Sequence, residues 1–150
     1  MKLIAPAADT RIAIDHSYVA KPLLTSSEAK FHSYLEMVSQ GRCRILIKPR
    51  LADVFQHEKG DVAGFNKVSQ KHVDFIVCRN DDWTPMLAIE LDDDSHHSRD
   101  RQNRDMFVNA LFASTGIPLL RIDVSEVDRI EPLVQNLSRA WERRWKTIEG

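Results

Sequence analysis

The stretch LAIELDDDSHHSRD, residues 87–100, runs from Leu87, Ala88 and Ile89 straight into Glu90, Asp92, Asp93, Asp94, His96 and His97. Carboxylates and imidazoles at this density can ligate a metal ion or move protons. Strand side chains alternate, so Glu90 and Asp92 leave one face while Leu87, Ile89 and Leu91 take the other. A further acid, Asp74, lies between Val73 and Phe75 in the apolar run HVDFIVCR. A hairpin turning around residue 82 pairs Asp74 with Glu90, whereas a slip of one residue would reverse the face. In the paired register the two Cβ atoms stand roughly 5 Å apart, and like charges so opposed destabilise the strands unless something neutralises them. A divalent cation does so. Oxygen ligands of this kind suit Mg²⁺ or Mn²⁺ more than zinc, and magnesium takes few carboxylates, leaving positions for a phosphate and an attacking water.

Other acids and imidazoles have simpler accounts to set beside the chemical one. Asp93 and Asp94 fit a solvated strand end as well as a site. Glu28 completes a capping box with Thr25, yet it shares a helical stripe with Phe31 and Leu35, so capping alone and capping plus a metal-site role stand equal. Two adjacent histidines rarely ligate one metal, which favours His96 as the site residue and His97 as solvated. His72 shares a strand face with Asp74 and reads as a core or surface histidine.

The elements that must position these groups follow from periodicity. The capping box opens a helix over 26–40, with Phe31, Tyr34, Leu35 and Val38 at helical spacing up to Gly41. CRILIKP alternates apolar and basic residues and predicts a strand ended by Pro49. Residues 51–71, with Gly60 and Gly64 among polar residues, read as a long connection. HVDFIVCR and PMLAIELD predict two strands joined by the turn NDDWT. A helix over 99–114 follows, with Ser98 as its N-cap and Gly116 as its stop. IPLLRIDV is a continuous apolar strand, and a last helix over 129–147 carries Ile130, Leu133, Val134, Leu137, Trp141 and Trp145 on one stripe. The order predicts an α/β domain over 25–150, a sheet covered by helices, preceded by an extended arm over 1–24 with a short strand at 11–14.

The totals bound what such a domain does. The chain has 150 residues, 43% hydrophobic and 29% charged, which suits one core and not two. Lys and Arg number 21 against 22 Asp and Glu, so an anionic partner must be held by a local patch. Arg42, Arg44, Lys48 and Arg50 near the first strand and Arg99, Arg101 and Arg104 near the second helix offer such patches. Arg121, among apolar neighbours, reads as a structural pair with Asp105 or Asp123, or as a site cation. Cys43 and Cys78 have neither CxxC spacing nor a leader before them, which predicts reduced thiols in a cytoplasmic protein. The opening MKLIAPAADTRIAIDHSYVAKP is too broken by Pro6, Asp9, Arg11 and Asp15 for a signal or membrane segment.

Asp74 on one strand, Glu90-Leu91-Asp92 on the next and Glu28 on the preceding helix together resemble the PD-(D/E)XK restriction-endonuclease-like superfamily. Within it, KHVDFIVC, LAIELDDDSHHSRDRQNRD and GIPLLRID look like an uncharacterised bacterial domain family marked by IELDD-x-SH, and are distantly similar to very-short-patch-repair endonucleases. The resemblance covers about residues 22–124. It implies a central mixed sheet in an αβββαβ core, here with an extra C-terminal helix, and a metal-dependent phosphodiesterase acting on nucleic acid, DNA above RNA. It further implies Asp74 and Glu90 as metal ligands for Mg²⁺ or Mn²⁺, Glu28 as a supporting acid, and Asp92 where the superfamily carries lysine. The lysine's work on the water then passes to Lys71, Lys48 or His96, or is absent. Lys48, Arg50, Arg101 and Arg104 are the expected nucleic-acid contacts, and a homodimer is allowed. The rival is a nucleic-acid-binding or assembly module that kept the fold and lost turnover. A docking role for the Trp141 and Trp145 stripe ranks below both, because an amphipathic terminal helix usually packs on its own sheet.

Overall fold

In the computed structural model of the protein, residues 17–56, 62–92 and 99–150 are described. Helix α1 spans Ser26–Ser39, and its start is the expected capping box: the Glu28 N–H donates to Thr25 Oγ1 and the Thr25 N–H donates to Glu28 Oε2. Gln40 and Gly41 turn the chain with positive φ into strand β1, Cys43–Ile47. Strands β2, Phe75–Arg79, and β3, Pro85–Asp92, form the antiparallel hairpin. Helix α4, Arg99–Thr115, stops at Gly116 in the left-handed region and leads to β4, Leu119–Asp123. A 3-10 turn, Val124–Glu126, precedes helix α5, Ile130–Glu149.

The connection between β1 and β2 differs from its sequence reading. It holds two helices, α2 over Leu51–Val54 and α3 over Val62–Ser69. Gly64 disguises α3, but a single glycine inside a helix costs only about 1 kcal/mol, and buried Leu51 and Val68 tie the segment to the core. The strand expected at 11–14 and the N-cap at Ser98 lie outside the described residues.

The sheet is mixed and four-stranded, in the order β1-β2-β3-β4, with β1 and β2 antiparallel and β3 and β4 parallel. Alternation along the strands divides the core in two. Phe75, Val77, Leu87 and Ile89 pack with Phe31 and Leu35 of α1 and Leu133 and Leu137 of α5. Ile76, Cys78 and Ala88 pack on the other face with Leu51 of α2, Val68 of α3 and Val108 and Phe112 of α4. Asp74 and Glu90 continue the second set by two-residue steps, from Ile76 and from Ala88. The same alternation that buries the core therefore turns both acids toward the α4 side. Trp141 packs against the first core cluster, whereas Trp145 is 41% exposed beneath the Arg79 guanidinium.

Because Thr25 accepts from the N–H of Glu28 and fixes the first turn of α1, Thr25→Ala should lower stability by about 1 kcal/mol. Urea unfolding checks this, and an unchanged midpoint would mean that the cap contributes nothing.

Candidate active site

The hairpin register places the acids. Phe75 pairs with Ile89, Ile76 with Ala88 and Val77 with Leu87, so the next step outward sets Asp74 opposite Glu90. The register shifts only between Val77 and Cys78, on the turn side and away from the acids. Asp74 Oδ2 accepts the Leu91 N–H at 2.8 Å, which ties its carboxylate to the residue beside Glu90. Asp74 is 9% exposed and Glu90 8%.

Burial and proximity disfavour two charges here. Burial first, and the charge of Asp74 second, push Glu90 up to about 7. Asp74 is also raised, by burial, although the Leu91 N–H opposes the shift. Glu28 behaves differently: burial would raise it, but the Thr25 N–H and the Lys48 ammonium hold it below its ordinary value. Lys48 Nζ stands 3.1 Å from Glu28 Oε1. Its backbone N–H donates to the Asp74 carbonyl at 2.8 Å, and its φ is 47°. A lysine in the left-handed region costs about 1–2 kcal/mol, so the surrounding bonds hold Lys48 at the carboxylates against its backbone preference.

A cavity of about 270 Å³ joins these groups, with Glu28, His72, Asp74, Glu90, Asp92 and Asp105 on its wall beside Arg104 and Arg121. Arg104 Nη2 lies 3.7 Å from Glu90 Oε1 and donates to the His72 carbonyl at 3.1 Å. Arg121 pairs with Asp92 and with Asp105, each at 3.3 Å. Among the described residues, Arg104, Arg121 and Lys48 face Glu28, Asp74, Glu90, Asp92 and Asp105. Among the described residues no three His, Cys, Asp or Glu side chains stand as a ready-made metal-binding group. Magnesium asks for less, one or two carboxylates and several waters, and Asp74 with Glu90 fit that requirement.

Of the residues read from sequence, Asp74, Glu90, Glu28, Asp92 and Arg104 meet at this cavity, and Lys48 touches it through Glu28. Lys71 turns away: its ammonium donates to the Lys67 carbonyl and lies over the Phe107 ring. Arg50 makes a bidentate pair with Asp53. His96 and the Arg101 side chain lie outside the described residues. His72, read as a core or surface histidine, lines the cavity. Arg121 takes the expected partner Asp105 and adds Asp92, while Asp123 instead accepts the Ser125 N–H. Besides His72, Asp105 lines the cavity, although it was expected only as a partner of Arg121. Its signal was its spacing from Val108 and Phe112, which makes it an acid on an otherwise apolar stripe.

The model of the family described as "Protein of unknown function (DUF2726)" matches residues 20–140. No curated protein and no solved structure matches the chain.

The acids predict a pH dependence of stability. Glu90 binds its proton more tightly folded than unfolded, so its favourable contribution is complete below about 4.5 and is lost as pH rises through about 7. In EDTA, Glu90→Gln should therefore stabilise the protein at pH 8 by on the order of 3 kcal/mol and change little at pH 4.5. Urea unfolding at the two pH values checks this; parallel curves for both proteins would contradict it.

Proposed function

The chain belongs to the DUF2726 family, and from its site we propose that it is a metal-dependent phosphodiesterase acting on nucleic acid, with DNA the favoured substrate. The observation that carries this reading is the buried pair Asp74 and Glu90, opposed across a hairpin and lining a cavity in which, among the described residues, carboxylates outnumber cations. The element order is compatible with it: α1, β1, the β2–β3 hairpin, α4 and β4 come in the αβββαβ order that the resemblance implies, with α2 and α3 inserted between β1 and β2 and α5 added at the end.

Asp74 and Glu90 hold the Mg²⁺ or Mn²⁺ in this reading, with Glu28 supporting them from α1. A bound ion would supply a Lewis acid for the phosphoryl oxygen and would lower the pKa of an attacking water. Glu90 must first give up the proton that burial lets it keep near neutral pH. Lys48 holds Glu28 below its ordinary value and puts an ammonium beside it, so of the two lysines expected to take over from the superfamily lysine it, and not Lys71, stands at the acids. Arg104, partly exposed at the cavity, provides a contact for a phosphate, whereas Arg50 is taken up by its bidentate pair with Asp53. A second reading, a binding module without turnover, draws on one observation: the residue at the lysine position is an acid already engaged with Arg121.

Plasmid and single-stranded DNA incubated with Mg²⁺, Mn²⁺ or EDTA separate the two. The nuclease reading predicts metal-dependent cleavage, abolished by Asp74→Ala and Glu90→Ala and lowered about 100-fold by Lys48→Met. Binding without cleavage in any metal, unaffected by the two alanine changes, would leave only the module.

A further inference from the structure

Arg121 stands on β4 in register with Glu90 on β3 and lines the same cavity. Its guanidinium donates from Nη1 to both Asp92 oxygens, from Nη2 to Asp105, and from Nε and Nη2 to Asn109, every bond at 3.3 Å. Charge-assisted N–H···O bonds at full strength run at roughly 2.7–2.9 Å. Elsewhere in this chain arginines reach such distances, 2.6 Å for Arg79 with Asp81 and 2.7 Å for Arg50 with Asp53. Arg121 is instead shared among three side chains and held closely by none. Its side chain is 27% exposed at a cavity that also contains the buried acids. A loosely held planar fork of this kind suits two oxygens of one phosphate.

Asp92, the residue Arg121 holds, is also the one that stands where the resembled superfamily carries lysine. β3 thus lacks a cation at this point, and β4, its parallel neighbour, brings one. We propose that Arg121 contacts the scissile phosphate, supplying from β4 the positive charge that the residue at position 92 does not supply; this rests on the phosphodiesterase reading above. A guanidinium keeps its proton, so Arg121 stabilises charge on the non-bridging oxygens and takes no part in activating the water. Asp92 and Asp105 are positioning residues that aim the fork.

The test is an exchange of charge between the two strands. Cleavage of a labelled DNA duplex with Mn²⁺ is measured for the wild type, Arg121→Gln, Arg121→Lys, and each of these combined with Asp92→Lys, after thermal melting identifies the variants that fold. The proposal expects kcat to fall about 100-fold in Arg121→Gln with a smaller change in KM. It expects Asp92→Lys to recover at least about tenfold of that loss, because a lysine on β3 again meets the phosphate. If Arg121→Gln does not fold, Arg121→Met, which likewise removes the charge, decides by the same criteria, whereas Arg121→Lys keeps the charge and should lose less. Wild-type kcat in a folded variant that lacks the charge at position 121, or a loss that Asp92→Lys does not restore, would overturn the assignment and leave Arg121 structural. A wild-type protein that cleaves nothing would overturn the phosphodiesterase reading itself, which the Arg121 variants then have no part in deciding.

Discussion

Two carboxylates that cannot both be charged without help sit at one end of the hairpin, and the neighbourhood is arranged around that conflict. Asp74 and Glu90 are buried and opposed, which raises both, and Glu90 rises to about 7. A buried pair of like charges would be selected against in a purely structural role, since an apolar pair fills the same space without the penalty. A proton on Glu90, which burial raises to about 7, relieves the conflict, and in the proposed reading a divalent cation would relieve it with both acids ionised. The remaining groups adjust the balance: the Leu91 N–H and Lys48 favour the charged form of Asp74, and Arg104 favours that of Glu90.

The fold explains why the groups converge. Alternation sends Phe75, Val77, Leu87 and Ile89 to the α1 and α5 side, so Asp74, Glu90 and Asp92 must emerge on the α4 side. There α4 contributes Arg104 and Asp105 from the end near the acids, and its Val108 and Phe112 anchor it to the sheet. The parallel pairing of β3 and β4 sets Arg121 beside Glu90. Glu28 comes from the first turn of α1, where the capping box fixes it, and Lys48 from the residue that follows β1, held in a strained backbone conformation. Glu28, Asp74, Glu90 with Asp92, Arg104 with Asp105, and Arg121 thus bring charge from five separate segments to one cavity of about 270 Å³, and Lys48 adds a sixth through Glu28.

Much of this was legible before any coordinates, because local rules decide it. The capping box, the Gly116 stop and the hairpin register depend on residues close together in sequence, and each stands as read. The register survives because its one irregularity falls near the turn, between Val77 and Cys78, and not at the acids. What local rules could not reach depends on tertiary partners. Helix α3 is stabilised by packing that overrides Gly64. The ammonium of Lys71 finds a carbonyl one helical turn back and a phenylalanine ring, neither of which periodicity indicates. Arg121 takes Asp92 through a parallel strand pairing that no spacing along the chain reveals.

If Asp74 and Glu90 together bind a hard divalent cation, calorimetric titration with Mg²⁺ in buffers of different ionisation enthalpy will register both the ion and the proton it displaces. With Glu90 near 7, one ion should bind and release about half a proton at pH 7 and fewer as pH rises. Glu90→Gln should abolish both the binding and the release. Binding of Mg²⁺ whose heat is independent of the buffer, or no binding at millimolar Mg²⁺, would contradict the account.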